Sequence, residues 1–357
     1  MARRLFLGCA IALGVTLIAS PAFACGGLIG PNGAVNLART TTLAAYHNGI
    51  EHYVTAFTFT GATKGQFGSI TPLPGIPSKV ERGGDWTLQR LEREVAPPVP
   101  RGLFFAEAAP TAAGSAEVIL QTTIDALDIT VLKGGALAVG TWAEQHGFNL
   151  PPDAPAVLDF YARRSQIFMA ARFDAAKAVA RGQRAGDGTP IHLTIPTKNP
   201  WVPLRILALG KQSSEVIGAD VFLLTDGTPG MLPTPLGGQN VAGRPIATGL
   251  ELVRSERASK SLMTDLKIDK GMGWMPSSMW LTFIRVNAPA STLGYDLAID
   301  ATGKNQPSLQ AAGFPSGLAQ AARHIRDSLP MWLAMTAAGA MLGGLLTAVL
   351  RRRVRPA

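Results

Sequence analysis

The 357-residue chain carries 33 Lys and Arg against 24 Asp and Glu, a pI of about 9.9, and two cysteines. Two of the basic residues fall in the first 24 positions and four in the last seven, so the stretch between them holds 27 basic against 24 acidic residues. That balance, with Lys and Arg dispersed along the chain, excludes a nucleic-acid-binding stripe, and a body this long can bury an ordinary hydrophobic core without disulfide staples.

Residues 1–24 read as an export signal: Arg3 and Arg4, an apolar run from Leu5 to Ala19, then Ser20-Pro21 and the small-x-small pattern Ala22-Phe23-Ala24. Cleavage after Ala24 makes Cys25 the first residue of the mature chain. Because Cys9 leaves with the signal, Cys25 has no internal disulfide partner. Three fates are open to it. An N-terminal Cys has an amine beside its thiol and could be a nucleophile, and Gly26-Gly27 would allow close backbone approach. A lipid anchor wants an aliphatic residue where Ala22 stands and a small one where Phe23 stands. An idle thiol at a signal boundary needs nothing further, and this is the expectation.

From Thr40 the pattern is that of strands. "TTLAAYHNGIEHYVTAFTFTG" forms two β-rich runs about Asn48-Gly49, the dipeptide suited to a two-residue hairpin turn because both positions favour φ > 0. In that register His47 and His52 share one face as diagonal neighbours, the only weak metal-ligand candidates, with no third ligand in view. "GQFGSITPLPGIP" is a further extended run that Pro72, Pro74 and Pro77 make either an edge or a strand that stops there. Glu94 to Gly114 is rich in Pro and Ala and reads as an exposed connection. "EVILQTTIDALDITVLKGG" resumes the strands, and a helical hairpin follows at about Ala136 to Arg164, with Gly147 ending the first helix and Asp153 as N-cap of the second. "QIFMAARF", "PIHLTIPT", "LRILALG" and "ADVFLLTDG" read as four more strands and "MWLTFIRVNAP" as another. His146 falls at a helix C-terminus, while His192 and His324 have no partner legible in sequence. Asp125 and Asp128, and the group Glu251, Arg254, Glu256 and Arg257, read as solvated surface charge. No nucleophile elbow, phosphate-cradling loop, His-Glu-x-x-His or dinucleotide fingerprint occurs.

Residues 301–328 shift to Gly, Gln, Pro, Ser and Ala and read as a flexible tether. "MWLAMTAAGAMLGGLLTAVL", Met331 to Leu350, has no charged residue and at ~1.5 Å per residue matches a bilayer core of ~30 Å, so 329–350 is expected to be a transmembrane helix. The 351–357 tail, with Arg351, Arg352, Arg353 and Arg355, marks the cytoplasmic side. Within the span, Gly339 and Gly343 form a Gly-x-x-x-Gly that would let two copies pack closely as a homodimer.

Several phrases in order, "ACGG", "GSITPLP", "LDITVLKGGALAVGTWAEQHGFNLP", "FYARRSQIFMAARF", "WVPLRILALG" and "WLTFIRV…GYDLAI", resemble the domain of unknown function 2330 family across about Cys25 to Asp300. The resemblance implies a bacterial extracytoplasmic protein of unassigned activity. Members often carry a second cysteine near the position of Gly30, so a two-thiol site is not carried over to this chain.

Together these features predict an α+β fold, predominantly antiparallel β-sheet with an inserted helical hairpin, over residues 25–300, plus one C-terminal transmembrane helix. The expected protein is single-pass in the cell membrane, with its body extracytoplasmic and its C-terminus cytoplasmic. The functional expectation is a non-enzymatic binding or assembly module of the cell envelope, with no cofactor, partnered by the bilayer and by an envelope protein or glycan. The alternative is an envelope hydrolase using Cys25 as nucleophile.

Overall fold

A computed structural model describes residues 27–30, 33–34, 40–58, 66–96, 116–148, 150–180, 182, 188–241 and 243–315. Cys25, His324, Gly339, Gly343, the expected span and its arginines lie outside them, and among the described residues no helix is long and apolar enough to cross a membrane.

In chain order, β1 (Gly27–Gly30), β2 (Gly33–Ala34), β3 (Thr40–His47), β4 (Ile50–Thr58), β5 (Gln66–Pro72) and β6 (Lys79–Arg82) precede α1 (Thr87–Val95). Next come β7 (Glu117–Ile124), β8 (Leu127–Lys133), the helices α2 (Ala136–Gln145) and α3 (Ala154–Ala162), β9 (Ile167–Asp174), α4 (Ala175–Ala180), β10 (Gly188–Pro196) and β11 (Trp201–Val202). A short 3₁₀ helix, Arg205–Ala208, leads to β12 (Val216–Thr225), β13 (Gly230–Leu232), β14 (Thr234–Leu236) and β15 (Ile246–Arg257). The described chain closes with α5 (Lys260–Ile268), β16 (Trp280–Pro289) and β17 (Leu297–Asp300).

The strands make a six-stranded sheet, β2-β1-β5-β9-β8-β7, an eight-stranded sheet, β14-β15-β16-β12-β3-β4-β10-β6, and a small third sheet, β11-β17-β13. Pairing is antiparallel except between β3 and β12 and between β14 and β15. Alternation with period 2 sorts each large sheet into two apolar faces. Ile129 and Val131 of β8 and Met169 and Ala171 of β9 face Tyr53, Leu193, Val221 and Ile284 of the larger sheet, forming the inter-sheet core. The intervening residues point outward. Leu132, Phe168 and Ala170 meet the helical hairpin through Trp142, Val157 and Tyr161. On the far side Leu43, Val54, Phe222 and Phe283 meet Leu88 and Leu91 of α1, Leu262 and Leu266 of α5, and the methionines at 272, 275 and 279. The body is therefore a four-layer sandwich, helices on sheet on sheet on helices, and the α+β class holds.

The hairpin turn is as expected, with Asn48 at φ 50° and Gly49 at φ 80°. The helical hairpin also forms where predicted, and Gly147 takes φ 81° just past α2. The strand ending at Pro72 stops there, as expected, and is internal, flanked by β1 and β9. Three expectations change. Asp153 precedes α3 with an αR backbone and makes no capping bond; its carboxylate accepts instead from the Gly210 N–H at 3.0–3.1 Å.

"LRILALG" is the 3₁₀ turn and not a strand, because its apolar residues recur every third position. Leu204 and Leu207 enter the inter-sheet core, while Ile206 and Leu209 enter the core under the helices. Finally, the body runs past Asp300. Residues 301–315 pack on it, with Ala312 fully buried, its carbonyl accepting from Asp296 N at 3.0 Å, and Arg164 Nη1 donating to Ala311 O at 2.7 Å.

Candidate functional site

The 3₁₀ turn is fixed by one carboxylate. Asp296 is fully buried, and its Oδ1 accepts from the backbone N–H of Leu204 (2.8 Å) and Arg205 (3.0 Å) and from the Tyr161 hydroxyl (2.8 Å). Its Oδ2 pairs with Arg164 Nη2. The Tyr161 hydroxyl in turn accepts from Ile206 N at 2.9 Å. Burial pushes the Tyr161 phenol well up, helped by Asp296 and opposed by Arg164, so the phenol stays protonated and donates. This network satisfies the orphan N–H groups at the start of the turn.

The turn forms the floor of an open cleft of about 560 Å³, walled on one side by the start of α3 (Pro151, Asp153, Val157) and on the other by the 290–294 segment with Leu293. Lys211, Ser213 and Ser291 complete its polar lining. Lys211 pairs with Glu215 at 2.7 Å, and Ser291 N donates to Ser213 O at 3.1 Å, tying the two segments at the rim. Arg205 is half-buried. Its guanidinium stacks over the Phe160 ring at 4.3 Å, and Arg164 lies 4.4 Å over the same ring. Arg164 spends its charge on Asp296, whereas Arg205 forms no ion pair among the described residues. A cleft of this size with apolar walls and a few convergent polar groups is the usual form of a small-ligand site.

The histidines go elsewhere. In the β3–β4 register His47 stands opposite Ile50 and Ala45 opposite His52, which makes the two histidines diagonal neighbours. Their bonds diverge: His47 Nδ1 donates to Asp226 Oδ1 at 2.6 Å and its Nε2 accepts from Asn48 Nδ2 at 2.9 Å. His52 is buried, shares a 2.9 Å hydrogen bond with His192, and stacks on Trp274 with ring centroids 3.4 Å apart. Burial depresses His52 to about 3, with His192 and His47 adding to the effect, and depresses His192 to about 4 against the pull of Glu81. Glu81 lies 3.6 Å from His192 Nδ1, beyond hydrogen-bond reach. Among the described residues no group of three or more His, Cys, Asp or Glu side chains is placed to hold a metal ion.

Of the remaining charges, Asp128 is a buried partner of Arg172 in the directly opposed β8–β9 pair, and Asp125 accepts from Arg82 Nε at 2.5 Å. Glu251 pairs with Arg285 and Arg254 with Glu256 on the outer face of β15. His146 is the C-cap of α2, its Nδ1 on the Trp142 carbonyl at 2.6 Å. Glu51 is the outlier. It is fully buried on the inter-sheet side of β4, neither carboxyl oxygen has a hydrogen-bond partner among the described residues, and burial pushes it up to about 8, opposed only by the neighbouring Trp201 backbone.

Sequence reasoning missed Arg205, Phe160 and Asp296. The one signal present was the three-residue apolar spacing in "LRILAL", which places a 3₁₀ turn and with it the arginine, but nothing local ties that turn to Asp296.

Residues 19–225, just over half the chain, match the family model described as an uncharacterised protein conserved in bacteria, DUF2330. The match ends at the last residue of β12. No curated protein and no solved structure matches the chain.

Proposed function

We propose that this chain, which belongs to the DUF2330 family of uncharacterised bacterial proteins, is a membrane-anchored extracytoplasmic binding module that takes its ligand in the cleft between α3 and the 290–294 segment. The observation that carries the reading is the cleft itself: apolar lining from Pro152, Ala156 and Ala208, a polar rim, and a floor held rigid by the Asp296 network. A ligand site held by such a rigid shell loses little entropy on binding. The membrane anchor and the orientation rest on the sequence of both ends, the signal before Cys25 and the arginine-flanked apolar run from Met331 to Leu350. The test is a photo-crosslinking amino acid placed at exposed Ala156 in the cleft, and separately at exposed Leu137 at the other end of the helical hairpin, in the full-length protein in cells. Adducts from Ala156 that are absent from Leu137 support a cleft ligand. The same pattern from both positions, or none from Ala156, defeats it.

A second reading, an envelope hydrolase with Cys25 as nucleophile, is favoured by one observation. The strand β1 begins two residues after Cys25, pairs Gly27 with Ile70, and lies against the Arg205–Ala208 turn that floors the cleft. A nucleophilic thiol needs a depressed pKa, so faster alkylation at neutral pH than an exposed model thiol would support it. An ordinary labelling rate, with Cys25→Ser leaving export and phenotype intact, would leave the binding module alone.

A further inference from the structure

We propose that the cleft ligand carries a compact oxyanion, a carboxylate or a phosphate monoester on a small apolar group, and that Arg205 is the residue that grips it. This rests on the reading of the cleft as a ligand site. Two arginines lie over the Phe160 ring, and they differ in what their charge meets. Arg164 is paired with Asp296 and donates to Ala311 O. Arg205 has its backbone N–H on Asp296 Oδ1 and its guanidinium carbon over the Phe160 ring, so both ends of the residue are positioned, while no carboxylate among the described residues takes its charge. Of the other charges of the cleft, Lys211 is paired with Glu215, while the Asp153 carboxylate accepts from the neutral Gly210 N–H and keeps its charge.

A planar guanidinium stacked on a ring presents a rigid fork of N–H donors, whose natural complement is two oxygens of one anion. An oxyanion meets such a fork with two charge-assisted bonds. The exposed apolar lining, Pro152 and Ala156 with the half-buried Ala208, then suits a short hydrocarbon or ring attached to the anion. Because the Asp153 carboxylate offsets Arg205 and Lys211 is paired with Glu215, the cleft as a whole is close to neutral and the attraction of the fork is local. Binding should depend steeply on the fork and only weakly on ionic strength.

The probes are benzoate and phenyl phosphate, with benzyl alcohol as the uncharged control, titrated against the detergent-solubilised full-length protein and followed by ligand-observed saturation-transfer NMR. Saturable binding of at least one anion is expected, with no binding of the alcohol. Arg205→Gln should weaken it tenfold or more at unchanged melting temperature. Arg205→Lys keeps the charge but loses the fork and should recover only part of the affinity. Benzoate alone binding assigns a carboxylate, phenyl phosphate alone a phosphate, and Ala156→Trp should abolish either by filling the cleft. Failure of both anions to saturate, or equal affinity in Arg205→Gln, overturns the proposal. If Ala156 crosslinks persist in cells in that case, the cleft is still a ligand site but for a different chemistry. Absence of those crosslinks would remove the underlying reading itself.

Discussion

Replacing Glu51 with Gln should change how stability depends on pH, and the size of the change follows from the carboxyl group's surroundings. Glu51 is fully buried and holds its proton to about pH 8, against an ordinary value of 4.5. Above pH 4.5 the unfolded chain releases this proton while the folded chain keeps it, so folding becomes less favourable as pH rises, until the folded form also ionises near 8. At ~1.4 kcal/mol per pH unit, the loss between pH 5 and pH 9 is about 4 kcal/mol. Glutamine has nearly the same shape and no proton to lose. The protonated carboxyl already lacks a partner, but the amide buries one more donor, at a cost of about 1–3 kcal/mol at every pH, so the variant is expected to be the weaker protein at pH 5 and the stronger at pH 9. Denaturant unfolding of both proteins across that range measures the crossing. Parallel profiles, with a constant difference from pH 5 to pH 9, would refute the assignment of an uncharged buried Glu51.

The acid limb should belong to the histidine pair. His52 and His192 have folded values of about 3 and about 4 against an ordinary 6.5, so stability present above pH 6.5 is lost as pH falls toward 4. Two histidines outweigh Glu51 between pH 4.5 and 6.5, which places the maximum near 6.5. His192→Gln, whose neighbours Glu81 and Lys79 come from β6, should flatten that limb by about 1.4 kcal/mol per pH unit, and an unchanged limb would contradict the pairing. Asp296→Ala strips Arg164, Tyr161 and two backbone N–H groups of their acceptor and should cost about 3–5 kcal/mol in urea unfolding; a loss under about 1 kcal/mol would mean the network is not what holds the turn. In the span, changing Gly339 and Gly343 together to Leu should lower self-association in a membrane two-hybrid assay by ~1 kcal/mol or more, and an unchanged signal would return the glycines to mere composition.

What was legible in the sequence was whatever is decided locally. Asn48-Gly49 specifies its turn through backbone conformation, and the alternation in β8, β9, β12 and β16 shows through two-faced burial. Helix α1 was missed because "TLQRLEREV" fully buries only Thr87, Leu88 and Leu91 and, Val95 apart, is otherwise polar. Strand β15 was missed because its outer face is charged. The site was hidden for a different reason, distance along the chain. Tyr161 meets Asp296 across 135 residues and His52 meets His192 across 140, because β10 comes to lie beside β4. The hairpin register that places His47 beside His52 was readable, yet each histidine turns to a partner from a later strand or loop.

The proposal stands most directly on where the cleft faces. In a Cys25→Ser background, full-length variants carrying Ala156→Cys in the cleft or Ala357→Cys in the tail are treated in intact spheroplasts with a membrane-impermeant maleimide, then again after lysis. An extracytoplasmic binding module predicts that position 156 labels before lysis and position 357 only after it. A tail that labels in intact spheroplasts while the cleft stays protected would contradict the account.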